Sequence, residues 1–248
     1  MEASAHLVLI PSYNTGAKLL ETVDAALRHR HPVIVVIDGS TDGSGGALQQ
    51  LAAREARLSV VRRRVNGGKG AAVIDGLRAA AAQGFTHALV MDADGQHDAA
   101  SIPRFMALSA AHPRAMILGM PIFDESAPAL RVIGRRVSNG WARLETGGAI
   151  GDSLFGFRVY PIAPLLAAMA GTRWMRRFDF DPEAAVRLCW QGVPVINAPA
   201  PVRYFRSDEG GISHFRYLRD NALLTWMHLR LMAAFLLRRV RVLRPSRR

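Results

Sequence analysis

Apolar residues in the first half of the chain fall into short unbroken runs, and the stretches between them carry apolar positions at helical spacing. The runs of strand length cover residues 7–10, 33–37, 58–61, 87–91 and 116–118. The helical stretches cover 17–29, 47–57, 71–83 and 99–111, with Thr15 placed to cap the first and Gly84 to stop the third. Unbroken apolar strands alternating with amphipathic helices predict a parallel sheet buried on both faces by crossover helices.

Beyond Gly119 the alternation weakens. The pattern predicts a loop and helix reaching Glu145, a short strand near 155–160, a helix over 182–190 and short strands near 193–197 and 202–205. Residues 214–241 read as one or two helices in which Leu, Met, Trp and Phe alternate with arginine. There is no internal repeat, low-complexity block or flexible linker, so the second half is expected to add antiparallel strands to the same domain.

Composition narrows this picture. Half of the residues are hydrophobic, enough for one large core. Cys189 is the only cysteine and is expected to fill a helix face, so no internal disulfide can form. The N-terminus lacks the basic start and long apolar stretch of a secretion signal, and a cytoplasmic location is expected. No window reaches the ~20 apolar residues of a membrane span, and the densest one, 231–237, lies between Arg230 and Arg238. The net charge of +12 predicts attraction to polyanions, and much of it sits in Arg238, Arg239, Arg241, Arg244, Arg247 and Arg248. That C-terminal stretch could lie on an anionic bilayer at the inner face of the membrane, or pack on the domain and leave a solvated basic tail.

Four polar loops follow the first four strands, at the carboxyl edge where open parallel sheets bind ligands. They are Pro11-Ser12-Tyr13-Asn14, the string from Asp38 to Ser44, Asn66-Gly67-Gly68-Lys69-Gly70 and Asp92-Ala93-Asp94-Gly95-Gln96-His97. Asp92 and Asp94, one residue apart at a strand end, can share a hard divalent cation, with Gln96 as a further oxygen donor. The glycines around Lys69 permit close backbone approach, and Lys69, one of only two lysines, can reach a phosphate. The loop is not a P-loop, because Gly70 stands where Ser or Thr is required. Asp38 could accept hydrogen bonds from a nucleobase or ribose, and Tyr13 could stack on the base. The plainer readings are an acidic surface turn, a turn before a helix and a helix cap, and it is the convergence of four loops that favours a site.

In order and spacing these loops resemble the family 2 glycosyltransferases, especially the dolichyl-phosphate mannose synthase-like branch, over residues 6–206. The resemblance implies a GT-A fold: α/β, with a Rossmann-like, mostly parallel central sheet, short antiparallel additions and a C-terminal helical extension. It divides the chain into a catalytic domain, 1–213, with a nucleotide-binding half to 119 and an acceptor half after it, and a basic amphipathic extension, 214–248. It implies Mg²⁺ or Mn²⁺ on Asp92, Asp94 and Gln96, with Pro11, Tyr13, Asn14, Asp38, Lys69 and Asp92 around a UDP- or GDP-linked sugar. The stretch Asp152 to Arg158 resembles a segment near the acceptor, Arg135 and Arg136 a basic pair, and Arg206 with Gly211, Ser213 and His214 a stretch that closes over phosphates. Ile37, Pro121, Leu154, Phe155 and His214 depart from the usual pattern, which leaves donor and acceptor identity open.

By this resemblance, transfer proceeds with inversion, and the departing diphosphate is stabilised by the metal, Lys69 and Arg206. A sugar or lipid hydroxyl acceptor requires a carboxylate base, for which Asp181 and Glu183, then Asp152, are the candidates. A polyprenyl phosphate acceptor requires none. Asp181 and Glu183 could equally serve the first turn of a helix begun at Pro182. The rivals are a nucleotidyltransferase, whose Gly-rich basic loop after the first strand is not found at Pro11 to Thr15, and a basic nucleic-acid-binding protein, whose arginines would need interleaved aromatics. No nucleic acid partner is expected.

Overall fold

The computed structural model describes residues 5–123, 129–205 and 214–243. In chain order the elements are β1 (His6–Ser12), α1 (Ala17–Leu27), β2 (Val33–Asp38), α2 (Ser44–Ala52), β3 (Leu58–Arg63), α3 (Lys69–Ala82), β4 (His87–Val90), α4 (Ile102–Ala111) and β5 (Met116–Phe123). They continue as α5 (Ala129–Thr146), β6 (Arg158–Pro161), α6 (Ile162–Ala170), α7 (Phe180–Trp190), β7 (Val195–Val202) and α8 (Tyr217–Leu243). One sheet runs in the order β3-β2-β1-β4-β6-β5-β7. Within it β6 is antiparallel to both neighbours, and the other pairings are parallel. This is the GT-A-like α/β arrangement that the sequence pattern and the resemblance imply.

The inner strands β1, β2 and β4 are mostly apolar because each faces two cores. Leu7, Leu9, Ile34, Val36, Ala88 and Val90 point into a core shared with α3, α6, α7 and α8. The alternate residues Val8, Ile10, Val33, Val35, Ile37 and Leu89 join Leu19, Leu48 and Phe105 from α1, α2 and α4. Burial on both faces fixes the register, since a one-residue slip would exchange the two sets.

Several boundaries differ from the sequence reading, each for a local reason. Gly16, not Thr15, precedes α1, and the Thr15 hydroxyl instead bonds the Ser12 hydroxyl at 2.7 Å. α2 begins at Ser44 rather than 47, because Asp42 accepts from both the amide and the hydroxyl of Ser44. α3 begins at Lys69 itself, with Gly68 at φ 95°. Gly84 does end that helix, at φ 84°. α6, an apolar run holding Pro164, carries no periodicity and went unpredicted. The two short strands expected near 193–205 are one strand, β7. It lies at the sheet edge, and Pro199 and Pro201 at alternate positions direct their missing N–H groups to the open side.

Residues 217–243 form one helix, α8, which packs through Asp220, Leu224, Met227, His228 and Leu231 while Leu218, Trp226, Leu229, Leu236 and Leu237 stay exposed. Among the described residues no helix is long and apolar enough to cross a membrane.

Candidate active site

The loops after β1, β2, β3 and β4 meet at the carboxyl edge of the sheet and wall a cavity of about 750 Å³. Pro11, Tyr13, Asp38, Lys69, Asp92, Asp94 and Gln96 line it, as the sequence pattern led one to expect. α5 and α8 add apolar side chains, Ile133, Val137, Trp141 and Leu224, among polar ones such as Ser138, Asn221 and His228, and Leu154 lines it as well.

At the end of β4, Asp92 and Lys69 form an ion pair at 2.6 Å, and Lys69 makes a second, also 2.6 Å, with Asp181. Burial pushes Asp94 up to about 7, and the neighbouring charge of Asp92 adds to the shift. Burial acts the same way on Asp92, but the Lys69 ammonium and then His97 outweigh it and hold Asp92 below the usual carboxylate range. Two close carboxylates, one of which resists ionisation beside the other, are a donor set that suits a hard divalent cation. Among the described residues no third His, Cys, Asp or Glu completes a metal-binding group, so water and ligand oxygens would fill the remaining positions. The backbone amide of Gln96 donates to Asp94 at 3.0 Å and steadies that carboxylate.

Asp38 and several other expected residues are engaged by partners within the protein or lie away from the cavity. Asp38 is buried, accepts from the amides of Gly67 and Gly68 and pairs with Arg63 at 2.7 Å, so its carboxylate shapes the Lys69 loop. Asn14, at φ 46°, clasps Thr41 with its side-chain carbonyl instead of lining the cavity. Arg135 lines the cavity and pairs with Asp152 at 2.6 Å, whereas Arg136 is exposed outside it. Asp152 also accepts from Asn139 and the amides of Leu154 and Phe155, and does not line the cavity. Glu183 is fully buried, paired with Arg187 at 2.7 Å and Arg230 at 2.9 Å. Of the three candidate bases only Asp181 faces the cavity, and its Oδ1 is buried without a hydrogen-bond partner among the described residues. Arg206, Gly211 and Ser213 lie outside the described residues, while His214 packs on Tyr13 with ring centroids 5.3 Å apart.

Four contributors escaped the motif reading. His97 accepts the Asp92 amide on Nδ1 and packs edge-on to Phe155 and Phe157, and burial drives its pKa down to about 4. Arg158, completely buried, donates to the backbone carbonyls of Phe155, Asp152 and Asp181, and so ties the 152–155 loop to the start of α7. A buried chain from Glu145 through His228 to Ser138 and Ser153 joins α5 to α8, with each link about 3.0 Å. Arg177 lines the cavity above Gly68. His97 and Arg158 stood inside quoted motifs, but the chain from Glu145 to Ser153 depends on contacts across 15 to 90 residues that no local pattern carries.

The family model for glycosyl transferase family 2 matches residues 7–179, which span the four loops after β1, β2, β3 and β4. The chain belongs to that family. It is a glycosyltransferase of the dolichyl-phosphate mannose synthase-like branch. A polyprenol monophosphomannose synthase of Mycolicibacterium smegmatis is 30% identical over 84% of this chain and 79% of that protein. An undecaprenyl-phosphate mannosyltransferase of Micrococcus luteus is 28% identical over 78% of this chain and 81% of that protein. Among solved structures, glucosyl-3-phosphoglycerate synthase from Mycobacterium tuberculosis, in complex with Mn²⁺ and UDP-glucose, superimposes with a TM-score of 0.64 at 16% identity. That match covers 93% of this chain and 78% of the other and shows a shared fold.

Proposed function

We propose that this glycosyltransferase moves a sugar from a UDP- or GDP-linked donor onto a polyprenyl phosphate, with inversion at the anomeric carbon. The observation that carries this reading is one cavity that holds both the acid cluster of Asp92 and Asp94 and the apolar side chains Ile133, Val137, Trp141 and Leu224. A sugar nucleotide suits the first and a prenyl chain the second. The names of the two relatives, both polyprenyl-phosphate enzymes acting with mannose, make that sugar the first to test.

Asp92, Asp94 and Gln96 would hold Mg²⁺ or Mn²⁺. When bound, the ion supplies positive charge to the departing diphosphate. Lys69, at the start of α3, adds its own charge there, and Pro11 and Tyr13 form the floor for the nucleoside. Asp152 and Glu183 are engaged by arginines and do not line the cavity, which leaves Asp181, paired with Lys69, as the one candidate base beside the substrates. An acceptor that is already ionised needs no such base. Arg177 and Arg216 line the same cavity and would attract its phosphate.

The exposed side chains of α8, Leu218, Trp226, Leu229, Leu236 and Leu237, together with the arginines after 237, suit the interface of an anionic membrane, where the acceptor resides. We place the enzyme peripherally on the cytoplasmic face.

Purified protein supplied with Mn²⁺ and a panel of UDP- and GDP-sugars tests the reading, with undecaprenyl phosphate and undecaprenol offered side by side. Glycosylation of the phosphate alone is expected, and equal use of the alcohol would overturn the acceptor assignment. Asp94→Ala is expected to lower turnover by about a hundredfold or more. Unchanged turnover in that variant would remove the metal assignment.

A further inference from the structure

Lys69 stands out in a chain whose other basic residues, apart from Lys18, are arginine and histidine. Its ammonium occupies the middle of the acid cluster, 2.6 Å from Asp92 and 2.6 Å from Asp181, with the side chain 12% exposed. The space is kept open by Gly156, where a Cβ would lie 2.6 Å from Lys69 Nζ and 2.7 Å from Asp92 Oδ2. A compact ammonium fits between two carboxylates where the broad planar fork of arginine would not.

We propose that Lys69 is an internal counter-ion for the metal site, and that its displacement makes divalent cation and nucleoside diphosphate bind cooperatively. The inference rests on the metal assignment proposed above and adds a coupling to it. With neither ligand present, Asp92 is shared with the ammonium. A divalent cation arriving alone must compete for Asp92 against a positive charge in van der Waals contact with it, in a partly buried setting where charges are weakly screened. The ammonium cannot simply withdraw, because leaving Asp92 would remove one of its two anionic partners inside the protein. A diphosphate supplies replacement oxygens near the start of α3, so Lys69 can turn to it and release Asp92. Each ligand then raises the affinity of the other by the same factor.

The test counts free Mn²⁺ by its electron paramagnetic resonance signal, for the full chain and for Lys69→Met, alone and with UDP or GDP. The unaltered protein is expected to hold Mn²⁺ about tenfold or more tightly once UDP or GDP is present. Lys69→Met is expected to bind Mn²⁺ alone about tenfold more tightly than the unaltered protein, and to gain less from the nucleotide. Equal Mn²⁺ affinity of the two proteins without nucleotide would overturn the counter-ion role and leave the metal site standing. Should Lys69→Met fail to fold, an unaltered protein whose Mn²⁺ affinity ignores both UDP and GDP overturns it equally. Absence of Mn²⁺ binding under every condition would remove the metal assignment, and this inference with it.

Discussion

Asp181 and Glu183 sit two positions apart in the first turn of α7, and their surroundings divide them. Asp181 points to Lys69 and the cavity, and Glu183 points inward to two arginines. The sequence identifies both as acids suited to a helix start, and it shows Arg187 four residues after Glu183, but the partner Arg230 comes from 47 residues away. The legible part of the site was therefore the set of loops that follow strands, where position alone puts Asp92, Asp94 and Lys69 on one edge. Gly156 gives a test at this scale. Gly156→Ala would press on Lys69 and Asp92 together, so catalysis is expected to fall by about tenfold or more, with a melting temperature close to that of the unaltered protein; activity assays alongside thermal unfolding check both. A second residue-scale prediction concerns acid. His6 stacks on His87 with centroids 4.6 Å apart, and burial, followed by the charges of His87 and His31, lowers its pKa from 6.5 to about 4. The folded chain thus resists a proton that the unfolded chain accepts. Its contribution to stability is complete above about 6.5 and is lost as pH falls through about 4. His6→Gln should flatten the drop in melting temperature across that window.

Among the elements, the strands and crossover helices of the first half were readable because a sheet buried on both faces must be written as unbroken apolar runs. The second half was less so. β7 was split in two by its prolines, which an edge strand tolerates, and α6 was lost because an apolar run without polar spacing shows no period. The sequence left open whether the last helix packs on the domain or meets a membrane; α8 packs through one face and leaves Leu218, Trp226, Leu229, Leu236 and Leu237 exposed. Its inner face is fastened by His228 to Glu145 and by Arg230, which pairs with Glu183 and lies 4.1 Å over the Trp174 ring. Arg230→Met would leave the fully buried Glu183 with Arg187 alone, and a loss of about 3 kcal/mol in urea unfolding is expected. The outer face predicts the opposite sensitivity. Replacing Trp226 and Leu229 with aspartate should abolish sedimentation with vesicles containing anionic lipid while leaving stability within about 0.5 kcal/mol.

At the scale of the whole molecule, the order β3-β2-β1-β4-β6-β5-β7 explains how one chain builds both ends of the cavity. The first four strands deliver the loops that carry Tyr13, Asp38, Lys69, Asp92 and Asp94. The antiparallel β6, inserted between β4 and β5, returns the 152–157 loop beside Asp92, and α5 and α8 close the apolar side. The pattern shows a strand near 155–160 and antiparallel additions, but neither the place of β6 between β4 and β5 nor the meeting of α5 with α8 leaves a periodic trace in the sequence. The account as a whole turns on the acids at the end of β4. Its most direct test is a crystal soaked with Mn²⁺ and UDP or GDP, measured for anomalous scattering. The account predicts a peak between the Asp92 and Asp94 carboxylates with diphosphate oxygens against it; a seated nucleotide with no peak there, or with the ion held by other residues, would contradict it.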